Sequence, residues 1–289
     1  MIVVTTPTGS IGHQVLDLLA GSDQPIRVIA RDPARLAPHL RDRVEVVRGS
    51  TADREVVAAA TKGADTVFWV VPPNTSAPSV PGHVLEFVTP LCEALDGIGR
   101  IVAVSSLGRA NARRAGQISA IFAMDALIES SGAHYRSLCP PGFMDNLLWQ
   151  VEPIRNSGTF FGTISGDHRL PSCATRDIAS TAARLLLDPS WTGQDSVEIR
   201  GPEDLSHNDM ARIMSEVLDR PVHYQRISAA DHKAALTAHG MSAAWAQGLV
   251  DMANAVDGGL YDTARTPESS SPTSFRQWTR EVLAPALRA

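Results

Sequence analysis

The sequence predicts an α/β protein built on a doubly wound parallel sheet, and three observations carry that prediction. The first is the run Met1-Ile-Val-Val-Thr-Thr-Pro-Thr-Gly-Ser-Ile-Gly12, an apolar strand that feeds directly into a glycine-bearing turn. The second is the helical spacing of Ile11, Val15, Leu18 and Leu19, followed at once by a second apolar run, Ile26-Arg-Val-Ile-Ala30. The third is that strand-like and helical stretches keep alternating well beyond this first unit. In a sheet of that kind the ligand lies outside the carboxyl ends of the strands.

The elements follow in order. After the first strand, Gly9 allows the backbone to approach a diphosphate and Gly12 allows the next helix to pack closely on the strand. The helix N-terminus adds free N–H groups and a partial positive charge. Thr6 stands at the first position of the G-x-x-G-x-x-G spacing, where glycine is usual. The second strand runs out at Arg31, nineteen residues past Gly12, where a dinucleotide fold places the residue that inspects the adenosine ribose. Arginine offers a forked array of donors that suits a 2′-phosphate, so Arg31, helped by Arg35, favours NADP(H) over NAD(H). Asp32 is the competing contact, because a carboxylate turned inward would accept from a free 2′-hydroxyl.

Val44–Gly49, Asp65–Val71 and Arg100–Ser105 read as the third, fourth and fifth strands, with helices near 53–62 and 83–96 between them. A helix over about 115–131 precedes a sixth strand, His134-Tyr-Arg-Ser-Leu138, which breaks at Cys139-Pro-Pro-Gly142. The carboxyl ends therefore bring Thr6, Arg31, Gly49, Val71-Pro72-Pro73 and Ser105-Ser106 around one crevice. Beyond about residue 150 the alternation loosens. Asp177–Leu187 and Ser206–Leu218 read as helices opened by Asp and Ser caps, residues 228–258 as helical and alanine-rich, and 262–274 as a loop or mobile segment. The expected arrangement is a Rossmann-type sheet domain over 1–150 and a smaller, mainly helical substrate lobe over 151–289, interleaved with it.

Composition narrows the classes of function. With 289 residues, 44% hydrophobic and 20% charged, the chain has the balance of a globular protein with a sizeable core. A net charge of −5 offers no electrostatic footprint for nucleic acid or an anionic membrane. Cys92, Cys139 and Cys173 are too few and too scattered for a disulfide framework or a metal cluster, and the nine histidines show no ligand spacing, so no metal is expected. Met1 leads straight into the first strand with no export signal and no apolar run of membrane-spanning length, which gives the expectation of a cytoplasmic protein. The absence of a G-x-S-x-G elbow argues against an acyl-transfer hydrolase.

With these elements in place, the chain resembles the NmrA-like branch of the atypical short-chain dehydrogenases/reductases over essentially its full length. The likeness rests on Thr6-Pro-Thr-Gly-Ser-Ile-Gly12, Ser105-Ser-Leu-Gly108, Pro140-Pro-Gly-Phe-Met-Asp-Asn146, and Asp177-Ile-Ala179 with Gly201-Pro-Glu-Asp-Leu-Ser206. The resemblance implies that Thr8, Ser10 and Ile11 touch the diphosphate, that Arg31 reads the 2′-phosphate, and that the backbone of Pro140, Gly142 and Phe143 edges the nicotinamide. Val71 joins them on the cofactor side. Gly49-Ser-Thr-Ala-Asp53 is similar to a family segment in which Asp stands at the place of Ser50, a change that weakens the expected adenine contact.

Ordinary members of that superfamily protonate the product with a Tyr whose pKa is lowered by a Lys four residues later. Here the only tyrosines are Tyr135, Tyr224 and Tyr261, and none has Lys at +4. The resemblance puts Gln117 and Ile121 in those two seats. A substrate whose reduced anion is already delocalised does not need a strong acid, which points to quinones, enones and iminium-like compounds. Gln117 and Ser105 or Ser106 are the candidate hydrogen-bond donors to such an oxygen. Pro72, Phe143, Met144, Asn146 and Trp149 are the candidate walls for a flat, apolar small molecule, with core packing the competing reading for Met144 and Trp149. His134 and His168 are weaker candidate acids. Two further classes stay open at this stage: an NADP-sensing regulatory protein without turnover, and a non-redox cyclase, isomerase or dehydratase on the same fold. The partners expected are the small molecule and a second copy of the chain, with no nucleic acid and no membrane.

Overall fold

The computed structural model describes residues 1–289 throughout. The amino-terminal half comprises β1 (Ile2–Val4), α1 (Gly12–Leu19), β2 (Ile26–Ala30), α2 (Pro38–Arg41), β3 (Glu45–Arg48), α3 (Arg54–Thr61), β4 (Thr66–Trp69), α4 (Val80–Glu93), β5 (Arg100–Val104), α5 (Gln117–Ser130), β6 (His134–Cys139) and β7 (Gly142–Phe143). After it come α6 (Val151–Ser157), β8 (Thr159–Gly162), β9 (Leu170–Cys173), α7 (Thr175–Leu187), β10 (Gln194–Glu198), β11 (Asp204–Leu205), α8 (His207–Leu218), β12 (His223–Arg226), α9 (Ala229–Ala238), α10 (Ala243–Asp257), α11 (Phe275–Trp278) and α12 (Ala284–Arg288).

Seven strands form one parallel sheet in the order β10-β6-β5-β4-β1-β2-β3. Its central strands are apolar on both faces because helices cover both. One face buries Val4, Val28, Phe68 and Val102 against α1 and α7. The other buries Val3, Ile29, Val67, Trp69 and Ile101 against α3, α4 and α5. The sheet is thus the Rossmann-type arrangement that the alternating pattern implied, with one addition. Strand β10 has the sequence Gln-Asp-Ser-Val-Glu and is mostly exposed, as an edge strand can be, so it carries no apolar signal.

The carboxyl-terminal part carries two small sheets, β11-β9-β7 and β12-β8. Their core contains Met144, Ile154, Phe160, Ala211, Met214, Phe275 and Trp278. A further cluster joins the loop after β5 to the end of α10 through Leu107, Ile118, Phe122, Leu170, Leu260 and Tyr261. Because α7 packs on α1 and β10 pairs with β6, the chain re-enters the sheet domain after residue 174.

Three local expectations change. Asp177 does not open its helix: α7 begins at Thr175, and the buried Asp177 carboxylate instead holds the Thr273 backbone N–H (3.1 Å) and hydroxyl (2.7 Å). That anchor, with Ser269, Ser271 and Thr273 buried, packs 262–274 onto the protein as a loop. The alanine-rich stretch 228–258 is two helices, because residues 239–242 break it and Ser242 caps the second by accepting from the Trp245 N–H. Ser206 does cap α8, with Asp209 completing a reciprocal capping box.

Candidate functional site

The turn after β1 is held from below. Buried Thr5 donates its hydroxyl to the Phe68 carbonyl (2.9 Å) and accepts from the Val70 N–H (3.1 Å), fixing the ends of β1 and β4 together. Thr6 then takes a left-handed conformation, φ 50°, which is the reason glycine is usual there. Its carbonyl receives the Gly9 N–H at 2.9 Å and lies so close to Gly12 that a Cβ there would stand 2.1 Å from it. Gly12 is therefore demanded by the turn's own carbonyl, a tighter constraint than helix-to-strand packing. Above the turn, the N–H groups of Thr8, Ser10, Ile11 and Gly12 have no partner in the protein, and Thr8 and Ser10 are exposed. A row of free donors at a helix N-terminus fits a diphosphate.

At the end of β2, Asp32 accepts from the Ala34 N–H (3.1 Å) and so caps the short turn Pro33–Arg35. Its carboxylate is used in that turn, while Arg31 and Arg35 are exposed and form no ion pair. Arg41 braces the same turn through the Leu36 carbonyl (2.9 Å) and the Ala34 carbonyl. At the end of β3, Ser50 accepts from the Ala52 N–H (3.2 Å), so its side chain closes its own loop. At the end of β4, Val71 and Pro72 are half-buried, and the buried His83 donates from Nε2 to the Pro72 carbonyl at 2.7 Å.

Ser105 departs from its expected role. Its hydroxyl is donated to Asp125 of α5, a carboxylate only 1% exposed that also accepts from Tyr135 (2.6 Å) and Ser137 (3.3 Å). Burial pushes the Asp125 carboxyl above its ordinary range against the pull of the Ser105 and Tyr135 hydroxyls. This network pins β5 and β6 to α5 and leaves Ser105 no free donor. Gln117 is different. It is the first residue of α5, and its Nε2 is buried with no hydrogen-bond partner. The side chain lies where α5 meets Gly248 of α10 and Val80 of α4, so the amide is sealed in a helix contact and does not face the crevice.

The segment after β6 turns over the crevice. Leu107 N–H donates to the Pro140 carbonyl (2.9 Å), which ties the β5 loop to the Pro140-Pro-Gly-Phe143 backbone. Met144, 2% exposed, belongs to the lobe core and has no surface to give a ligand, which corrects its placement as a wall. Trp149 is 89% exposed, so core packing does not account for it. Residues 144–150 form a tight three-residue-per-turn helix, in which positions three apart eclipse. Asn146 and Trp149 thus share one exposed edge, while Met144, Leu147 and Gln150 share the inward one; Phe143, extended in β7 before the helix, packs half-buried against the sheet core.

Several contributors were not singled out from the sequence. The Asp145 carboxylate accepts the Thr175 N–H (3.0 Å) and hydroxyl (2.8 Å), capping α7 from outside. Gln14 donates to the Thr175 hydroxyl (2.9 Å) and to the Ser10 carbonyl (2.6 Å). A continuous bridge therefore runs from the diphosphate turn to the wall after β6. An acid two residues past the Pro-Gly-Phe turn was its visible signal, and Asp125 on the apolar stripe of α5 was the signal for the other network. His134 accepts from the Gly193 N–H (3.0 Å) at the amino end of β6, away from the crevice, and His168 donates to Asp257 (3.1 Å) in the lobe.

The NmrA-like family profile matches residues 1–270. The chain belongs to the NmrA-like family. It is 28% identical over 253 residues to the NAD(P)H azoreductase of Xenophilus azovorans, covering 87% of this chain and 86% of that one. It is 24% identical to quinone oxidoreductase 2 of Escherichia coli, with 92% of each chain covered. The structure of Citrobacter sp. triphenylmethane reductase in complex with NADP(H) superposes with a TM-score of 0.79 at 20% identity, covering 99% of this chain and 100% of that chain, which shows a shared fold. No helix is long and apolar enough to cross a membrane.

Proposed function

We propose that this NmrA-like protein is an NADPH-dependent reductase of a flat conjugated substrate, a quinone, enone or iminium-like compound, working without a Tyr–Lys acid pair. When bound, the dihydronicotinamide supplies a hydride. The free N–H groups of Thr8, Ser10, Ile11 and Gly12 hold the diphosphate, Arg31 and Arg35 meet the 2′-phosphate, and Val71, Pro140, Gly142 and Phe143 border the nicotinamide. Pro72, Asn146 and Trp149 complete the substrate side, where an indole presents a face for stacking. The observation that carries the reading is the row of free N–H groups above the turn after β1, with exposed, unpaired Arg31 at the end of β2; the family resemblance puts an amide, Gln117, in the seat of the usual acid. A chain without the Tyr–Lys pair lacks the usual proton donor, which matches a substrate with a stable reduced anion. Relatives that reduce quinones and azo compounds support the same class.

The test is calorimetric titration of the purified protein with NADPH and NADH, followed by NADPH oxidation at 340 nm with a panel of quinones and enones. Tighter NADPH binding with turnover is expected. Binding without turnover replaces the reductase by the sensing or non-redox alternatives, and no binding removes the cofactor assignment.

A further inference from the structure

Positive charge collects at one corner of the crevice, where β2 and β3 end side by side. Arg31 follows Ala30, and Ala30 is the register partner of Arg48, one strand spacing or about 4.8 Å away. The ladder carries on past Arg48, because the Gly49 N–H donates to the Ala30 carbonyl at 3.1 Å. The Arg48 backbone is therefore fixed beside the point where Arg31 leaves the sheet. Side chains alternate along a strand, so Arg48 shares a face with Val46, which packs on the same core as Leu36 and Leu40. Leu36 directly follows the turn Pro33–Arg35, so Arg48 lies on the side of the sheet where that turn sits. Arg31, Arg35 and Arg48 are all exposed.

The acids nearby are committed elsewhere. Asp32 accepts from the Ala34 N–H, and Asp53 caps α3 by accepting from the Glu55 and Val56 N–H groups at 2.9 and 3.3 Å. Glu45, at the opposite end of β3, pairs with Arg27 at 3.0 Å, and Asp17 of α1 pairs with His39 at 3.0 Å. Two neighbouring arginines are engaged as well, Arg41 with the Ala34 and Leu36 carbonyls and Arg54 with Glu93. Arg31, Arg35 and Arg48 have no ion pair, so the corner keeps a surplus of positive charge. Guanidinium groups gathered without a counter-charge repel one another. A phosphomonoester, with a charge of roughly −2 at pH 7, relieves that repulsion and accepts from their forked donors.

We propose that Arg48 is a specificity-determining residue of the cofactor site, an arm on the 2′-phosphate that the edge strand β3 contributes from the place opposite Ala30. The proposal rests on the NADPH reading given above. Arg31 then comes from β2, Arg35 from the turn that follows it, and Arg48 from β3, so the phosphate is met from both strands at once. The same loop gives little else to the adenosine, because the Ser50 side chain closes its own turn by accepting from the Ala52 N–H. NADH carries a neutral hydroxyl where NADPH carries the phosphate. Arg48 therefore widens the preference between the two cofactors without adding to the affinity they share.

Arg48→Ala and Arg48→Lys are compared with the wild type by calorimetric titration with NADPH and NADH, and with 2′-phospho-ADP-ribose and ADP-ribose, which test the 2′-phosphate without the nicotinamide. In Arg48→Ala the two phosphorylated ligands are expected to bind about tenfold more weakly, with NADH and ADP-ribose within about twofold of wild type and the thermal midpoint unchanged. Arg48→Lys keeps the charge but loses the fork, and its affinity for the phosphorylated pair should lie between the other two proteins. NADPH affinity in Arg48→Ala within twofold of wild type overturns the assignment, as do equal losses for NADPH and NADH. A wild type whose preference for NADPH disappears in Arg31→Ala but survives in Arg48→Ala removes Arg48 alone. A wild type with no preference for NADPH removes the cofactor reading and this proposal with it.

Discussion

Thr6 holds a backbone conformation that its own branched side chain disfavours. A left-handed residue other than glycine costs about 1–2 kcal/mol, part of which a glycine would return as extra freedom of the unfolded chain. Thr6→Gly is accordingly expected to raise stability by about 1 kcal/mol, seen as a higher urea midpoint, without weakening NADPH binding; a lower midpoint would show that the threonine side chain contributes contacts worth more than the strain. Two turns of the crevice away, Arg31 is exposed and unpaired while Asp32 is occupied by its own turn. Arg31→Ala should therefore weaken NADPH by about tenfold or more and leave NADH nearly unchanged in the same calorimetric titration. Equal losses for both cofactors would take the 2′-phosphate away from Arg31. These two residues were legible because their chemistry is local, a spacing from Gly12 and a place at a strand end. Asp125 and Asp145 were not, since each acquires meaning only from partners far away in the chain, and an isolated acid in a sequence carries no record of them.

At the scale of elements, α7 is the hinge between the cofactor turn and the substrate wall. Its first residue, Thr175, receives Gln14 from α1 and donates to Asp145, so the wall after β6 and the turn after β1 are positioned by one hydroxyl. Thr175→Val is nearly isosteric and deletes that hydroxyl, leaving Gln14 and Asp145 each one bond short at a loss of about 1–2 kcal/mol. The expected signature is coupled: KM rises for both NADPH and quinone, because both walls are released together. A rise for NADPH alone would mean that Asp145 is held well enough by the Thr175 N–H. The helix itself was read from its apolar spacing, but its start was misassigned to Asp177. An Asp near a helix start is ordinarily a cap, and only the fold reveals that this one is committed to the 273 backbone. Strand β10 escaped for the complementary reason, since an exposed edge strand needs no apolar pattern to pair.

Over the whole molecule, the parallel sheet was readable because burial on both faces forces long apolar runs into β1, β2, β4 and β5. The lobe was less so, because its short strands owe their existence to pairing between distant segments such as β8 with β12. The same interleaving has a thermodynamic consequence. The segment 175–198 packs α7 on α1 and adds β10 to β6, so the sheet and the lobe cannot separate without exposing core from both. One cooperative transition is expected on heating, and a ligand bound at the crevice should stabilise all of it. At a hundred times its Kd, NADPH adds about 2.7 kcal/mol, which for a chain of this size raises the thermal midpoint by roughly 5 °C. NADH at the same concentration should give a smaller rise, and Arg31→Ala should bring the two together. Calorimetric scans with each cofactor check this. Two separate transitions, only one of them shifted by NADPH, would show that the lobe unfolds independently and that the bridge from Ser10 through Gln14 and Thr175 to Asp145 does not transmit the binding energy from one half to the other.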